Sequence, residues 1–348
     1  MTNPRKTTLR DVAAAAGVSI GTASNAFNRP ELLSVEMRER VHGQAKRLGY
    51  AGPDPAARRL RTGRTGALGL LFTYRLPYAF DDQAATIFLG GVARELEDSG
   101  AGLLLIPTSE SRAEGAAIVR AAAVDGFIVY STPTGDPRLL AALERGLPTV
   151  TVDEPLSVPT PWIGIDDRAA AREAARHLVD LGHSRVAVVG FPEFAIDDPS
   201  LPYDVTRERF AGYREGLGES WDPELVIHAI GNRAEAGRAA LGELVALDPA
   251  PTAVLAMGDA LATGLLVGAA QHGIDVPAGL SVVGFDDIPF AALTDPPLTT
   301  ISQPTEQKGR LAARALLAAL ENDAPLEATR TVLPAELVIR GSTGPPAG

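Results

Sequence analysis

The sequence predicts an all-α helix-turn-helix headpiece followed by a two-lobed α/β body built on two doubly wound parallel sheets. Three observations carry this reading. Residues up to about 50 contain only short helical patterns with capping residues, and no strand pattern. From Ala67 onward, short apolar runs alternate with amphipathic helices, the pattern of parallel strands joined by helical crossovers. The charge divides at the same place. Residues 1–65 hold 12 Lys and Arg against 5 Asp and Glu, a balance of +7, while the rest holds 20 against 38, a balance of −18 within an overall −11.

In the headpiece, Thr8 with Asp11 reads as an N-cap and its acidic partner, opening a helix that carries Leu9, Val12, Ala13 and Ala16. Gly17 ends it. Ser19 caps a second helix that runs to about Asn25 or Ala26. A polar connection follows at Asn28-Arg29-Pro30. Ser34 caps a third helix with Met37, Val41, Ala45 and Leu48 inward, and Gly49 closes it. The polar side chains Ser19, Thr22, Ser24 and Asn25 are of types that bond phosphates and base edges. Residues 51–65 read as a linker. Asp54-Pro55 makes a good N-cap and first helical residue, but the helix it opens is under two turns and too short to stand alone in water. Its four arginines make DNA a candidate partner. A small basic module can sit on phosphates while an acidic body is repelled from them.

In the body, the expected strands are Ala67–Phe72, Gly102–Ile106, Gly126–Tyr130 and Thr149–Asp153, then Arg185–Phe191, Leu225–Ile230, Ala253–Met257 and Leu280–Phe285. Expected helices include Ile87–Ser99, Arg168–Leu181, Arg207–Gly216 and Ala260–Gln271. A last helix near Thr305–Glu321 and strands near Arg330–Leu333 and Leu337–Arg340 close the chain. The resulting division is a headpiece at 1–52, a hinge at 53–65, a body at 66–343 and a tail at 344–348. Within the body the first subdomain takes about 66–164 and 303–326, and the second takes about 165–302 and 327–343. Ligands of such sheets bind beyond the carboxyl ends of the strands, which here means the cleft between the lobes.

The composition narrows the function classes. With 45% hydrophobic and 22% charged residues in 348, the chain is an ordinary globular protein of two or three domains. The absence of cysteine excludes disulfides, thiolate zinc sites and cysteine nucleophiles. No apolar segment fits a secretory signal or a membrane span, so a cytoplasmic protein without a membrane partner is expected. Gly17-Val-Ser19-Ile-Gly21 formally fits a nucleophile elbow, but an alanine-rich helix precedes it where that motif needs a strand. The aspartate pairs at 81–82, 166–167, 197–198 and 286–287 are more simply caps or ligand contacts than acid–base pairs. No glycine fingerprint follows a strand, so no cofactor, no metal and no enzymatic activity are expected. A transport solute-binding protein shares the two-lobed body, but it needs an export signal and no basic headpiece.

Leu9-Arg-Asp-Val-Ala-Ala-Ala-Ala-Gly17-Val-Ser19-Ile-Gly-Thr22-Ala-Ser24 resembles the headpiece of the lactose-repressor/galactose-repressor (LacI/GalR) family, whose usual pattern is L-x-D-V-A-x-x-A-G-V-S-x-x-T-V-S. The resemblance continues through Arg38-Glu-Arg40-Val41, Leu48-Gly49-Tyr50, Ala57-Arg58-x-Leu60-Arg61 and, in the body, Leu181-Gly-His183-x-Arg185, Arg209-Phe-Ala-Gly212-Tyr213, Ser281-Val-Val-Gly-Phe285-Asp286-Asp287 and Pro297-Leu-Thr-Thr300-Ile-x-Gln303-Pro304. It implies a periplasmic-binding-protein-like body and a homodimer that acts as a transcriptional regulator, most simply a repressor, on double-stranded, pseudo-palindromic operator DNA. An activator of the same parts is the alternative. The implied DNA contacts are Thr8, Ser19, Ile20, Gly21, Thr22, Ser24, Asn25, Asn28, Ser34 and Tyr50 of the headpiece. From the linker they are Asp54, Ala57, Arg58 and Leu60, with Leu60 as a wedge between central base steps. Ile20 suits a thymine methyl, Asn25 suits adenine, and Gly21 has no side chain to read with.

The resemblance also implies a small sugar-like effector held by Asp153, Arg209 and Asp286, with Phe80 or Asp81 from the loop after the first strand, Asn232, Asp259, and Trp162 or Phe191 for stacking. The family's Asn-Asp pair reads Gly258-Asp259 here, and no aromatic ring stands near Asn232. Some members add a C-terminal leucine-repeat helix that makes tetramers. Gly341-Ser-Thr-Gly-Pro-Pro-Ala-Gly348 cannot form one, so a dimer is expected.

Overall fold

The structure, a computed structural model, describes residues 7–52, 63–72, 76–107, 111–195 and 198–347. The expected linker contacts Asp54, Ala57, Arg58 and Leu60 lie outside the described residues. The chain divides into two units, Met1–Thr65 and Gly66–Gly348.

The first unit has three helices, α1 (Leu9–Ala16), α2 (Ile20–Asn28) and α3 (Val35–Arg47), with a short 3₁₀ turn at Pro30–Leu32. Each begins at a side-chain cap that satisfies otherwise orphaned N–H groups. Thr8 and Asp11 form a reciprocal capping box, Ser19 Oγ accepts from Thr22 N at 3.0 Å, and Ser34 Oγ accepts from Met37 N at 3.3 Å. Gly17 ends α1 at φ +66°, a left-handed conformation that lets its N–H reach the carbonyls of Ala13 and Ala14. The core is Val12, Ala13, Ala16, Ala23, Ala26, Val41 and Ala45. These small side chains let three short helices approach closely.

The second unit holds two six-stranded sheets. The first lobe contains β1 (Ala67–Phe72), α4 (Gln83–Glu97), β2 (Gly102–Leu105), α5 (Arg112–Ala121), β3 (Gly126–Tyr130), α6 (Pro137–Glu144), β4 (Thr149–Val152) and β5 (Trp162–Gly164). The second contains α7 (Asp167–Asp180), β6 (Val186–Gly190), a hairpin of β7 (Phe194–Ala195) and β8 (Asp198–Pro202), α8 (Asp204–Leu217), β9 (Val226–His228), α9 (Ala234–Leu244), β10 (Ala253–Ala256), α10 (Asp259–His272), β11 (Ser281–Asp286) and β12 (Thr299–Ser302). The chain then returns to the first lobe with α11 (Thr305–Asn322) and β13 (Arg330–Val332), and ends in the second with β14 (Glu336–Val338). The sheet orders are β13-β5-β4-β3-β1-β2 and β14-β12-β11-β10-β6-β9. Strands pair in parallel within each sheet, apart from β14, which runs antiparallel to β12. The chain therefore crosses between lobes three times, after β5, after β12 and after β13.

One boundary differs from expectation. The sequence reading placed everything after residue 326 in the second lobe, but Arg330–Val332 pairs in parallel with Trp162–Gly164 of the first sheet, and the crossing comes only afterwards. Strand β5 is three residues long, too short to advertise a sheet edge in need of a partner. The first residue of the expected tail, Gly344, is also tied into the fold: its N–H donates to Ser281 Oγ at 3.1 Å and its carbonyl lies 2.9 Å from His183 Nε2. It stands next to Ser342 of the body, whose Oγ donates to Val282 O at 2.6 Å and accepts from Thr299 N at 2.8 Å.

Three helix pairs cover the sheets through glycines at their crossings. A Cβ on Gly91 of α4 would fall on the Glu306 carbonyl of α11, and one on Gly309 would fall on Phe88 O. Gly212 and Gly216 of α8 face the carbonyls of Arg168 and Arg172 in α7, and Gly237 and Gly264 do the same between α9 and α10. The backbones touch at these points, so the pairs pack without intervening side chains.

Candidate functional site

In the first unit the caps account for several polar side chains. Ser19 and Thr22 hydroxyls lie 2.8 Å apart, both engaged at the start of α2. Ser24 is buried, and Asn28 Nδ2 donates to Ser24 O at 3.0 Å and to its Oγ at 3.1 Å. Ser19 is thus a helix cap within a helix-turn-helix, which is incompatible with the strand-to-helix elbow of a hydrolase. Tyr50 packs edge-on to Phe27 with ring centroids 5.6 Å apart, so it also braces the unit. Thr8 and Ser34 cap α1 and α3. What α2 presents to solvent is Ile20, at 47% exposure, with Gly21, and Asn25 half-buried beside them.

In the second unit a cleft of about 830 Å³ of empty space, partly open to solvent, lies between the lobes. It is lined from the carboxyl ends of the strands: Phe72 closes β1, Tyr130 and Ser131 end β3, Asp153 and Glu154 follow β4, Met257 follows β10 and Asp286 ends β11. Among the described residues, Ser131, Asp153, Asp286, Asp287 and Asp323 are the non-glycines with positive φ, and the first three line this cleft. Such backbone conformations are unfavourable for these residues and gather at binding sites.

Asp153, Phe191, Arg209, Asn232 and Asp286 come together here. Arg209 is buried. Its Nε donates to Asp167 Oδ1 at 2.8 Å, its Nη1 donates to Met257 O at 2.8 Å, and its guanidinium lies 3.6 Å from the Phe285 ring centroid. Asp286 accepts from Gln303 Nε2 at 2.6 Å. Gln303 Oε1 and Asp153 Oδ1 each accept from Lys308 Nζ at 2.5 Å. A polar chain thus runs from Asp286 in one lobe through Gln303 on the crossover to Lys308 and Asp153 in the other. Burial, with repulsion from Asp259 and Asp82, raises the pKa of Asp286 well above the carboxylate range.

Four expected contacts sit elsewhere. Phe80 is 62% exposed and Asp81 is also exposed, both in the single turn Tyr78–Asp81, and the residue facing the cleft is Asp82. Asp82 caps α4 through Ala85 N, and also accepts from Tyr78 Oη at 2.5 Å and from Asn232 Nδ2 of the other lobe at 3.0 Å. Asp259 is fully buried under the second sheet, where it accepts from Thr300 Oγ1 at 2.5 Å and Ile288 N at 2.9 Å; burial pushes its pKa to about 7. Trp162 is buried beneath the Arg330 guanidinium, 4.0 Å from the ring centroid, and donates from Nε1 to Asp153 O at 2.8 Å, so it holds the Asp153 backbone without lining the cavity.

Glu154, Lys308 and Asp204 are also part of this region and were not expected. Asp204 Oδ2 ties the lobes by accepting from Thr134 Oγ1 at 2.8 Å and Leu156 N at 2.9 Å. Lys308 carried a readable signal: it stands four residues before Ala312 on the apolar face of its helix, where a cation needs a partner. Among the described residues no group of three or more acidic or histidine side chains is placed to hold a metal, and no helix is long and apolar enough to cross a membrane.

A helix-turn-helix unit followed by a two-lobed body of this topology defines a helix-turn-helix transcriptional regulator with a periplasmic-binding-protein-like domain. Residues 8–52 match the family described as bacterial regulatory proteins, lacI family, and residues 175–343 match the periplasmic binding protein-like domain. The HTH-type transcriptional regulator Rv3575c of Mycobacterium tuberculosis is 40% identical over 358 residues, covering 99% of this chain and 98% of that protein. Among solved structures, the CelR–cellobiose complex superimposes with a TM-score of 0.70 at 30% identity, covering 97% of this chain and 99% of the other. The lac repressor dimer bound to operator and the anti-inducer ONPF gives 0.80 at 26% identity, covering 98% and 100%. The chain belongs to the lacI family of bacterial regulatory proteins.

Proposed function

We propose that the protein is a cytoplasmic repressor that binds a pseudo-palindromic operator as a homodimer and answers to a small sugar-like effector in the interlobe cleft. The observation that carries this reading is the pairing, in one chain, of a basic three-helix unit that exposes Ile20 and Gly21 beside a half-buried Asn25 with a cleft where Arg209, Asp153 and Asp286 converge. The first reads bases: Asn25 to adenine, Ile20 to a thymine methyl, and Gly21 leaving its base unread. The second holds hydroxyls through charge-assisted hydrogen bonds. The relatives' names support the regulator role, and the cellobiose complex of CelR supports an effector of this chemistry.

Binding-site selection with the full-length protein tests the DNA half. A palindromic motif distinct from lactose- and galactose-type operators is expected, and recovery of one of those unchanged, or of no motif, refutes it. For the effector half, any compound that stabilises the protein at a hundred times its dissociation constant adds about 2.7 kcal/mol, a shift of several degrees. Arg209→Lys keeps a cation against Asp167 but loses the planar fork. It is expected to cut that compound's affinity at least tenfold, as measured by calorimetry, and unchanged affinity removes Arg209 from the site.

A further inference from the structure

The chemistry of the cleft is lopsided. Four carboxyls line it: Asp82, Asp153, Glu154 and Asp286. Lys308 pairs with Asp153, while among the described residues no ion pair reaches Asp82, Glu154 or Asp286. Among the described residues Arg209 is the cation in the lining, and Asp167 balances it from beneath. Two helix N-termini that open on the cleft are already occupied by carboxyls, since Asp82 accepts from Ala85 N and Glu154 from Val205 N. One more acceptor is orphaned. Asn232 must turn its NH₂ toward the Asp82 carboxylate, which leaves its Oδ1 buried without a hydrogen bond, the single such side-chain atom among the described residues. One oxygen each of Asp153 and Asp286 is also unused by the described residues.

A site crowded with acceptors is completed by a ligand made of donors. Resting on the reading of the cleft as the effector site, we propose that it selects an uncharged polyhydroxylated ligand, whose O–H groups donate to Asp82, Asp286 and Asn232, and that it rejects phosphorylated and carboxylated sugars. A hydroxyl that donates to an ionised carboxylate makes a charge-assisted bond of the stronger kind, and one that meets a protonated carboxyl or the Asn232 amide still finds an acceptor oxygen. A phosphate ester brings two negative charges into low dielectric beside acidic groups, with no free cation or unoccupied helix N-terminus among the described residues of the lining to receive them. The lining already resists negative charge: burial and neighbouring acidic groups raise the Glu154 carboxyl to about 8 and Asp286 well above its ordinary value, so both hold their protons rather than carry charge there.

The test is a thermal-shift screen of the full-length protein at 10 mM ligand, about the upper end of a practical range for weak sugar binding. The panel pairs pentoses, hexoses, hexitols, cyclitols and disaccharides with their phosphate esters and uronates, and adds nucleosides. Calorimetry follows on every hit. At least one uncharged polyol is expected to stabilise, with its phosphate ester binding at least ~100-fold more weakly, as expected for unpaired charge in a closed site. Asp82→Asn is expected to shrink that discrimination at least ~5-fold, an effect on a ratio of affinities that loss of packing alone does not produce. An ester or uronate that binds as well as its uncharged parent overturns the assignment, as does a panel in which no uncharged polyol binds. If an anion or a nucleoside stabilises instead, effector control stands and the charge assignment falls; if nothing stabilises, both fall.

Discussion

Gly237→Ala lowers the stability of the body by about 3 kcal/mol, the upper part of the range for overpacking a tight contact, while Gly242→Ala, five residues along the same helix, raises it by up to about 1 kcal/mol. The opposite signs follow from what each new methyl meets. At Gly237 the Cβ lands on the Leu261 carbonyl of the crossing helix, with the Leu261 C and Cα close behind, and the reciprocal Gly264 faces Ala234 O. Neither backbone can yield without separating α9 from α10, which also uncovers Leu241, Leu244 and Leu265. At Gly242 no atom lies within 4 Å of the new Cβ, so the substitution only removes backbone freedom from the unfolded chain. Chemical denaturation of the two variants and the parent checks both. Equal effects of the same sign would show that the α9–α10 crossing is looser than a backbone-to-backbone contact.

Glu154→Gln stabilises the protein most at alkaline pH and hardly at all at pH 5. Glu154 is buried beside Ser131 Oγ at 3.2 Å and Val205 N at 3.4 Å, and burial is the main reason its pKa is pushed to about 8 from an ordinary 4.5. Below pH 4.5 both folded and unfolded chains carry the proton, and the group contributes no pH dependence. Between 4.5 and 8 the unfolded chain has released its proton and the folded one keeps it, so folding stability falls as the pH rises. The decline approaches 1.36 kcal/mol per pH unit and levels off above 8, a total of roughly 3–5 kcal/mol. Glutamine cannot ionise, and it keeps both partners: its oxygen accepts from Val205 N and its NH₂ donates to Ser131 Oγ, which serves as acceptor as readily as donor. Calorimetric melting at pH 5, 7 and 8.5 is expected to show curves that meet at pH 5 and diverge by roughly 5 °C or more at 8.5. Parallel curves would mean that Glu154 titrates normally. Asp259, held at about 7, contributes a similar slope in both proteins and cancels in the comparison.

How much of this was legible in the sequence follows from burial. The central strands are covered on both faces, so Ala67–Phe72, Gly126–Tyr130 and Ala253–Ala256 read as apolar runs with little ambiguity. The three headpiece helices announced themselves through Thr8, Ser19, Ser34 and Gly17 because caps are local chemistry. What stayed hidden depends on distant partners. Trp162–Gly164 is too short to show a period, and Thr299–Ser302 buries threonines whose hydroxyls are satisfied by Asp259, Thr343 and Arg340 N, contacts that no local pattern reveals. Asp81 and Asp82 are chemically identical neighbours, and one residue of helix phase decides which faces the cleft. Asp259 and Trp162 had the right chemistry for ligand contact, but both are consumed in holding other residues.

The three crossings between lobes also order events during synthesis. The first sheet lacks its edge strand β13 until residue 332 has been made, and Gly91 has nothing to pack on until α11 emerges, after all of the second lobe up to β12 has been translated. Neither lobe is a continuous stretch of chain, so a fragment ending near residue 164 exposes the β5 edge and the face of α4, both invitations to aggregation. Producing a single lobe requires joining its separated segments by a new linker, and a single cut at any one crossing leaves two others holding the halves together.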